Sequence, residues 1–228
     1  MVTNLFLASG VFWILTYILL IKRGFEDQTY GMPLVALCAN ISWEFIFSFL
    51  YPHQPPQLQV NIVWFFLDVI ILFEFLKFGQ SELRYLPKKL FYPIFLLTLV
   101  VSFYCVLFIT YEFHDWSGAY TAFGQNLMMS ILFIDMLVRR NALRGQSIFI
   151  ALFKMMGTLL ASFGFYLSLP RQGRSLLFVF LYTAIFVFDL IYVFMIATQM
   201  KDLRKEQLDG RGSFVVKVLL QGANRNCL

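Results

Sequence analysis

Residues 175–199 read SLLFVFLYTAIFVFDLIYVFMIATQ. A single acid interrupts an otherwise uncharged run. As a helix rising about 1.5 Å per residue, the run is long enough to cross the roughly 30 Å hydrocarbon core of a bilayer. Six further stretches share this character: 4–21, 31–51, 59–78, 90–111, 119–138 and 147–169. The chain of 228 residues is 60% hydrophobic and only 14% charged, whereas soluble domains are about a quarter charged. The seven stretches leave no room for a soluble domain. The expected fold is an all-α integral membrane protein, a seven-transmembrane helical bundle. Residues 1–200 form the membrane domain and 201–228 a charged, partly disordered cytoplasmic tail.

The formal charge of +5 encodes orientation. Lys22 and Arg23 follow span one, Lys77, Arg84, Lys88 and Lys89 surround the connection of spans three and four, and Arg139, Arg140 and Arg144 follow span five. Lys201, Arg204, Lys205, Arg211, Lys217 and Arg225 follow span seven, and only Arg171 and Arg174 fall on the other side. Positive residues stay inside, so the N-terminus is expected outside and the C-terminus in the cytoplasm. The membrane would be the endoplasmic reticulum in a eukaryote or the inner membrane in a bacterium. Nothing points to a nucleic-acid partner. Cys38, Cys105 and Cys227 have no metal-ligand spacing and read as small apolar fillers.

Acids inside spans are costly and mark function. Asp135 sits beside Arg139 near a span end and reads as an interfacial ion pair. Glu44, Asp68 and Asp189 lie about 12, 18 and 22 Å from the outer ends of their spans by helix rise. They are expected to line one cavity, with Glu74 turned away and paired locally to Lys77. Asn40, Trp43 and Glu44 share a helix face. Trp64 precedes Asp68 by one turn, Tyr192 follows Asp189 by three residues, and Gln125 adds an amide. The last span has no lysine for a retinal Schiff base. The chain has no aspartate-rich run for diphosphate-bound magnesium, no HExxH zinc helix and no glycine-rich phosphate loop. What remains is metal-free acid–base chemistry without a cofactor, or proton-coupled transport.

Span two decides between them. Tyr30-Gly31-Met32-Pro33, then Asn40-Ile41-Ser42-Trp43-Glu44, then Tyr51-Pro52 resemble the signature of the small integral-membrane terpene cyclases of meroterpenoid and indole-diterpene pathways, the paxilline or pyripyropene type. Gln125, Arg144-Gly145-Gln146-Ser147 and Asp189 extend the resemblance through span seven, and Asp68 falls where the family tends to carry Asp or Asn. Two features depart from the pattern: a longer tail after Met200, and Glu74.

The resemblance implies proton-initiated closure of a polyprenyl chain borne on an aromatic, pyrone or indole group, starting at an epoxide or alkene. It places the essential acids at Glu44 and Asp189. Asn40, Trp43, Trp64, Asp68, Gln125 and Tyr192 would bind or support the substrate. Such an acid must hold its proton near neutral pH, which burial in an apolar site favours, and aromatic faces would steady the travelling cation. The implied partners are a lipophilic prenylated small molecule and membrane lipid, with the oligomeric state open. A small seven-span proton-coupled transporter would use the same acids as a relay, but the chain shows no internal repeat to support one. A seven-span receptor would want an outer disulfide, which these cysteines do not supply.

Because no residue cluster suited to magnesium or zinc is present, purified enzyme treated with EDTA is expected to keep its rate. A loss restored by one added metal would reopen the diphosphate chemistries.

Overall fold

Seven α-helices follow one another in the computed structural model, which describes residues 2–82, 86–169 and 171–225, with side chains to Lys205. They are α1 (Val2–Asp27), α2 (Leu34–Phe45), α3 (Gln57–Glu82), α4 (Lys88–Glu112), α5 (Ala119–Arg140), α6 (Ile148–Ser168) and α7 (Leu176–Arg225). The expectations for Arg84, Cys227 and most of the tail fall outside the described side chains. Pro93 lies inside α4 near its first turns.

The helices close a ring: α1 packs on α3, α3 on α2, α2 on α4, α4 on α5, α5 on α7, α7 on α6, and α6 on α1. Side chains show why. On α1 the buried residues Ser9, Trp13, Thr16, Tyr17, Leu20 and Gly24 form one stripe at three- and four-residue spacing. Ser9 donates to the Gly157 carbonyl of α6 at 2.7 Å. Without lipid–water contrast to drive helices together, such small residues and hydrogen bonds supply the association. Helix α2 is different: every residue from Ala36 to Glu44 is buried. It also contacts α5 across the bundle, so the most protected helix carries the Asn-x-x-Trp-Glu segment. A π-helical turn, Ile46–Leu50, follows it at once. Such turns often accompany functional sites because the extra residue per turn re-aims the side chains that follow.

Hydrogen bonds gather the helix ends into two opposite faces. At one, Arg140 bonds Glu82 at 2.8 Å and the Tyr30 carbonyl at 3.0 Å, Arg144 bonds the Asp27 carbonyl at 3.0 Å, and Gly145 N donates to Asp27 Oδ2 at 2.7 Å. The Arg-Gly-x-Ser motif thus ties the α1–α2 turn, the end of α3 and the α5–α6 turn together. At the other face Trp43 Nε1 donates to the Gly118 carbonyl at 2.9 Å. Tyr51 also meets Tyr111 there, joining the ends of α2 and α4. Consecutive helices therefore run in alternating directions. Asp135 and Arg139 form the expected ion pair, at 2.8 Å.

Among the described residues, five helices are long and apolar enough to cross a membrane by length and composition: α1, α4, α5, α6 and α7 up to Lys205. Large apolar side chains such as Phe66, Phe73, Phe108 and Phe194 stand exposed on the outside. The apolar helix 34–50 is shorter, and α3 carries Asp68, Glu74, Lys77 and Glu82. The first falls short by length alone, and the second by its charged groups, of which Asp68 and Glu74 are buried within the ring.

Gly118 caps α5 at φ +62°, and a Cβ there would also collide with the Phe47 and Trp43 rings. Gly118→Ala is expected to cost on the order of 2 kcal/mol or more. The measurement is a melting temperature in detergent, which should fall by several degrees.

Candidate functional site

A cavity of about 430 Å³ opens between α1, α2, α3, α5 and α6. Its walls carry Trp13, Tyr17, Asn40, Trp43, Glu44, Trp64, Gln125 and Asn126, with His53, Gln54 and Ser117 from the connecting loops at one end. Apolar and aromatic surface dominates, with a few convergent polar groups, as suits a lipophilic guest.

Glu44 is almost fully buried in this wall. Asn40 Nδ2 donates to the Tyr17 hydroxyl. An amide nitrogen can only donate, so the Tyr17 oxygen accepts, and its own proton goes to Glu44 Oε1 at 3.1 Å. Oε1 is thereby occupied as an acceptor, and a proton on Glu44 resides on Oε2. That oxygen has no partner meeting hydrogen-bond geometry among the described residues. Asp68, fully buried on α3, lies alongside Glu44 and Asn40. Neither of its oxygens meets hydrogen-bond geometry. No ion pair involving Glu44 or Asp68 occurs among the described residues. Two adjacent carboxyls out of water and without a cation cannot both ionise cheaply.

Asn40, Trp43, Glu44, Trp64 and Gln125 thus share one cavity, and Asp68 stands behind Glu44. Trp64 Nε1 and Gln125 Oε1 are buried without partners among the described residues. Both remain available to a guest.

Asp189 does not join this group. It lines a separate groove of about 340 Å³ between α6 and α7, with Thr158, Ser162, Tyr182 and Phe186. Its Oδ1 accepts from Lys154 Nζ at 2.6 Å, and both side chains are 1% exposed. The expectation of one cavity shared by Glu44, Asp68 and Asp189 is corrected accordingly. Helix rise brings all three acids inside the bundle, but the azimuth of α7 turns Asp189 toward α6. Tyr192, one turn on, also lies outside the cavity, packing on Phe133 and donating to Gln146 Oε1 at 3.0 Å.

Glu74 lies outside the cavity too, but its expected pairing with Lys77 is corrected. The Glu74 carboxyl is fully buried against Gly24 of α1, where a Cβ would strike it. The Lys77 ammonium instead lies over the rings of Phe78 at 5.1 Å and Phe25 at 5.9 Å.

Four residues of the site escaped sequence reasoning. Lys154 carried a signal, since a lone lysine in mid-span is as costly as a lone acid. Its ammonium has three partners: Asp189, Ser130 at 2.7 Å and Asn126 at 3.2 Å. Removing one side of such a buried pair typically costs about 3–5 kcal/mol. Tyr17 stands one turn after Trp13 on α1, but its role depends on α2. Asn126 adjoins Gln125. His53, in the loop after the π turn, stacks on Phe47, and its Nδ1 faces the Asn61 amide nitrogen at 3.0 Å. The amide donates, so Nδ1 is the unprotonated nitrogen of a neutral ring. Burial holds this imidazole below the usual histidine range, against the opposing effects of the Trp116 backbone and the Asp115 charge.

Comparison with known proteins bears on this arrangement. Residues 1–202 match the family model described as Pyr4-like transmembrane terpene cyclases. The Pyr4-family terpene cyclase mfmH of Annulohypoxylon moriforme is 30% identical over 214 residues, covering 89% of this chain and 88% of that protein. Terpene cyclase ptmB of Penicillium ochrochloron is 28% identical over 162 residues, 69% of this chain and 67% of its own. Terpene cyclase pyr4 of Aspergillus fumigatus is 34% identical over 82 residues, 36% and 34% of the two chains. No solved structure matches.

Tyr17→Phe removes the hydroxyl that donates to Glu44 while keeping the ring. One buried hydrogen bond is worth about 1–1.5 kcal/mol, so kcat is expected to fall about tenfold with KM little changed. Steady-state kinetics in detergent check this.

Proposed function

This chain belongs to the Pyr4-like transmembrane terpene cyclases, and from that premise we propose that the 430 Å³ cavity is where its polyprenyl substrate is closed, with Glu44 as the proton donor. The enzyme is a terpene cyclase of an integral membrane type. The substrate read here is a lipophilic polyprenyl chain, usually ending in an epoxide, attached to an aromatic, pyrone or indole group.

The observation that carries the reading is the state of Glu44: buried in an aromatic cavity, held by Tyr17 at one oxygen, and beside a second carboxyl with no cation. A proton passes from Glu44 to the epoxide oxygen, the C–O bond opens to leave a carbocation, and successive alkenes attack it as new C–C bonds form. The last cation gives its proton back to the Glu44–Asp68 pair, so the reaction is an isomerisation and the proton count closes. Trp43 and Trp64 offer their faces to the moving charge, worth about 2 kcal/mol each when desolvated. Asn40 and Tyr17 steady the carboxylate left behind, and Asp68 is the neighbouring acid that returns a proton to it. Gln125 meets a polar group of the guest. Aromatic walls keep water from quenching the cation.

The same reading takes all seven helices as crossings, with the N-terminus outside and the basic face, which holds Arg140 and Arg144, in the cytoplasm. In a eukaryotic cell the membrane is the endoplasmic reticulum. Residues 1–200 are the catalytic domain, a division supported by the match over 1–202. A proton-coupled transporter has no observation in its favour beyond the buried acids themselves.

Glu44→Gln keeps the side-chain shape and removes the acidic proton. Membranes carrying it, given farnesylated and geranylgeranylated aromatic epoxides with no ion gradient, are expected to make at least about a thousandfold less product than wild type while the protein accumulates normally. Substantial activity in this variant would remove Glu44 from the donor role.

A further inference from the structure

Lys154 and Asp189 form a buried ion pair that the mechanism above does not use. The ammonium has three N–H groups and three acceptors, Asp189 Oδ1, Ser130 Oγ and Asn126 Oδ1. None is left for a substrate. Asn126 in turn donates to Thr158 Oγ1 at 2.8 Å. Asn126 lines the central cavity, and Asp189 and Thr158 line the groove on the other side. One layer of side chains separates the two spaces. Trp13, another wall residue of the cavity, has its ring centre 5.9 Å from the Lys154 ammonium.

We propose that Asp189 is a positioning residue that acts through Lys154. It cancels a positive charge lying just behind the cavity wall, and through that ammonium it fixes the Asn126 amide in the wall. An unbalanced ammonium one layer of side chains away would repel a carbocation in the cavity, because a low-dielectric interior screens poorly. The pair as a whole is neutral, so the charge can travel. On this account the reaction needs the neutrality and the hydrogen bonds of the pair and does not need an acidic proton from Asp189. The inference rests on the reading of the central cavity as the place of cyclisation.

The test compares Asp189→Asn, Lys154→Gln and the double variant Lys154→Gln/Asp189→Asn. Each is assayed as the full chain in detergent with an epoxyfarnesylated aromatic that wild type converts. Rates are normalised to folded enzyme, measured by monodispersity and melting temperature. Asp189→Asn takes away the counter-charge, so Lys154 is left as an unbalanced ammonium or sheds a proton and with it a donor; kcat is expected to fall about a hundredfold or more, with the smaller effect on KM because residue 189 does not itself line the cavity. The double variant keeps an amide donor toward Asn126 and carries no charge, and its kcat per folded enzyme should return to within about tenfold of wild type. A purely structural role would move the yield of folded protein and leave kcat per folded enzyme alone. If Asp189→Asn does not accumulate, the double variant is compared directly with wild type, and Lys154→Met/Asp189→Leu serves as the apolar replacement. A folded double variant as inactive as Asp189→Asn overturns the proposal and makes the Asp189 carboxyl itself the required acid. Glu44→Gln is run alongside. Activity there would sink the cavity reading whatever the pair does, whereas an inactive Glu44→Gln with an inactive double variant sinks the pair assignment alone.

Discussion

Carrying carboxyl groups out of water is the constraint around which this bundle is arranged. An isolated buried carboxylate is unaffordable, so each buried acid must find a cation or keep its proton. Asp189 takes the first course with Lys154. Glu44 and Asp68 have no such partner among the described residues and stand together. Helices of one bundle thus treat the same chemical group in opposite ways. The difference separates a neutral ion pair in the wall from an acid in the cavity.

The fold serves that separation. Helix α2 is enclosed by α3, α4 and α5, so Glu44 is shielded even though the apolar run that bears it is short. The π turn after α2 swings Phe47 and His53 toward the cavity end, where His53 stacks on Phe47. The knot of Arg140, Arg144, Asp27 and Glu82 locks the opposite face. Rigid ends and an enclosed centre suit a reaction whose cation must meet only the surfaces provided for it.

Much of this was legible in the sequence. Apolar runs announced the helices, and three-residue spacing put Asn40 and Trp43 on a face with Glu44. The pair Trp64 and Asp68 on α3 belonged with them. Helix period fixes how residues on one helix relate, but not which neighbour their face will meet. That is why Asp189 was assigned to the wrong cavity, why Tyr192 joined it, and why Glu74 was paired with Lys77 when it packs on Gly24. The partner relations of Tyr17 with Glu44 and of Lys154 with Asp189 span 27 and 35 residues. They exist only once α1 meets α2 and α6 meets α7. Lys154 still carried a local warning, since a cation amid Phe153, Met155 and Met156 has no reason to be there without a buried anion.

The central claim is that the prenyl chain lies in the cavity of α1, α2, α3, α5 and α6 with its reactive end near Glu44. Photo-crosslinking tests it most directly, using a substrate analogue with a diazirine at the prenyl terminus, followed by mass-spectrometric mapping. The account predicts label on Trp43, Trp64 and Gln125 and their flanking peptides. Label concentrated on Phe163, Thr183 and Phe186, in the groove beside Asp189, would contradict it.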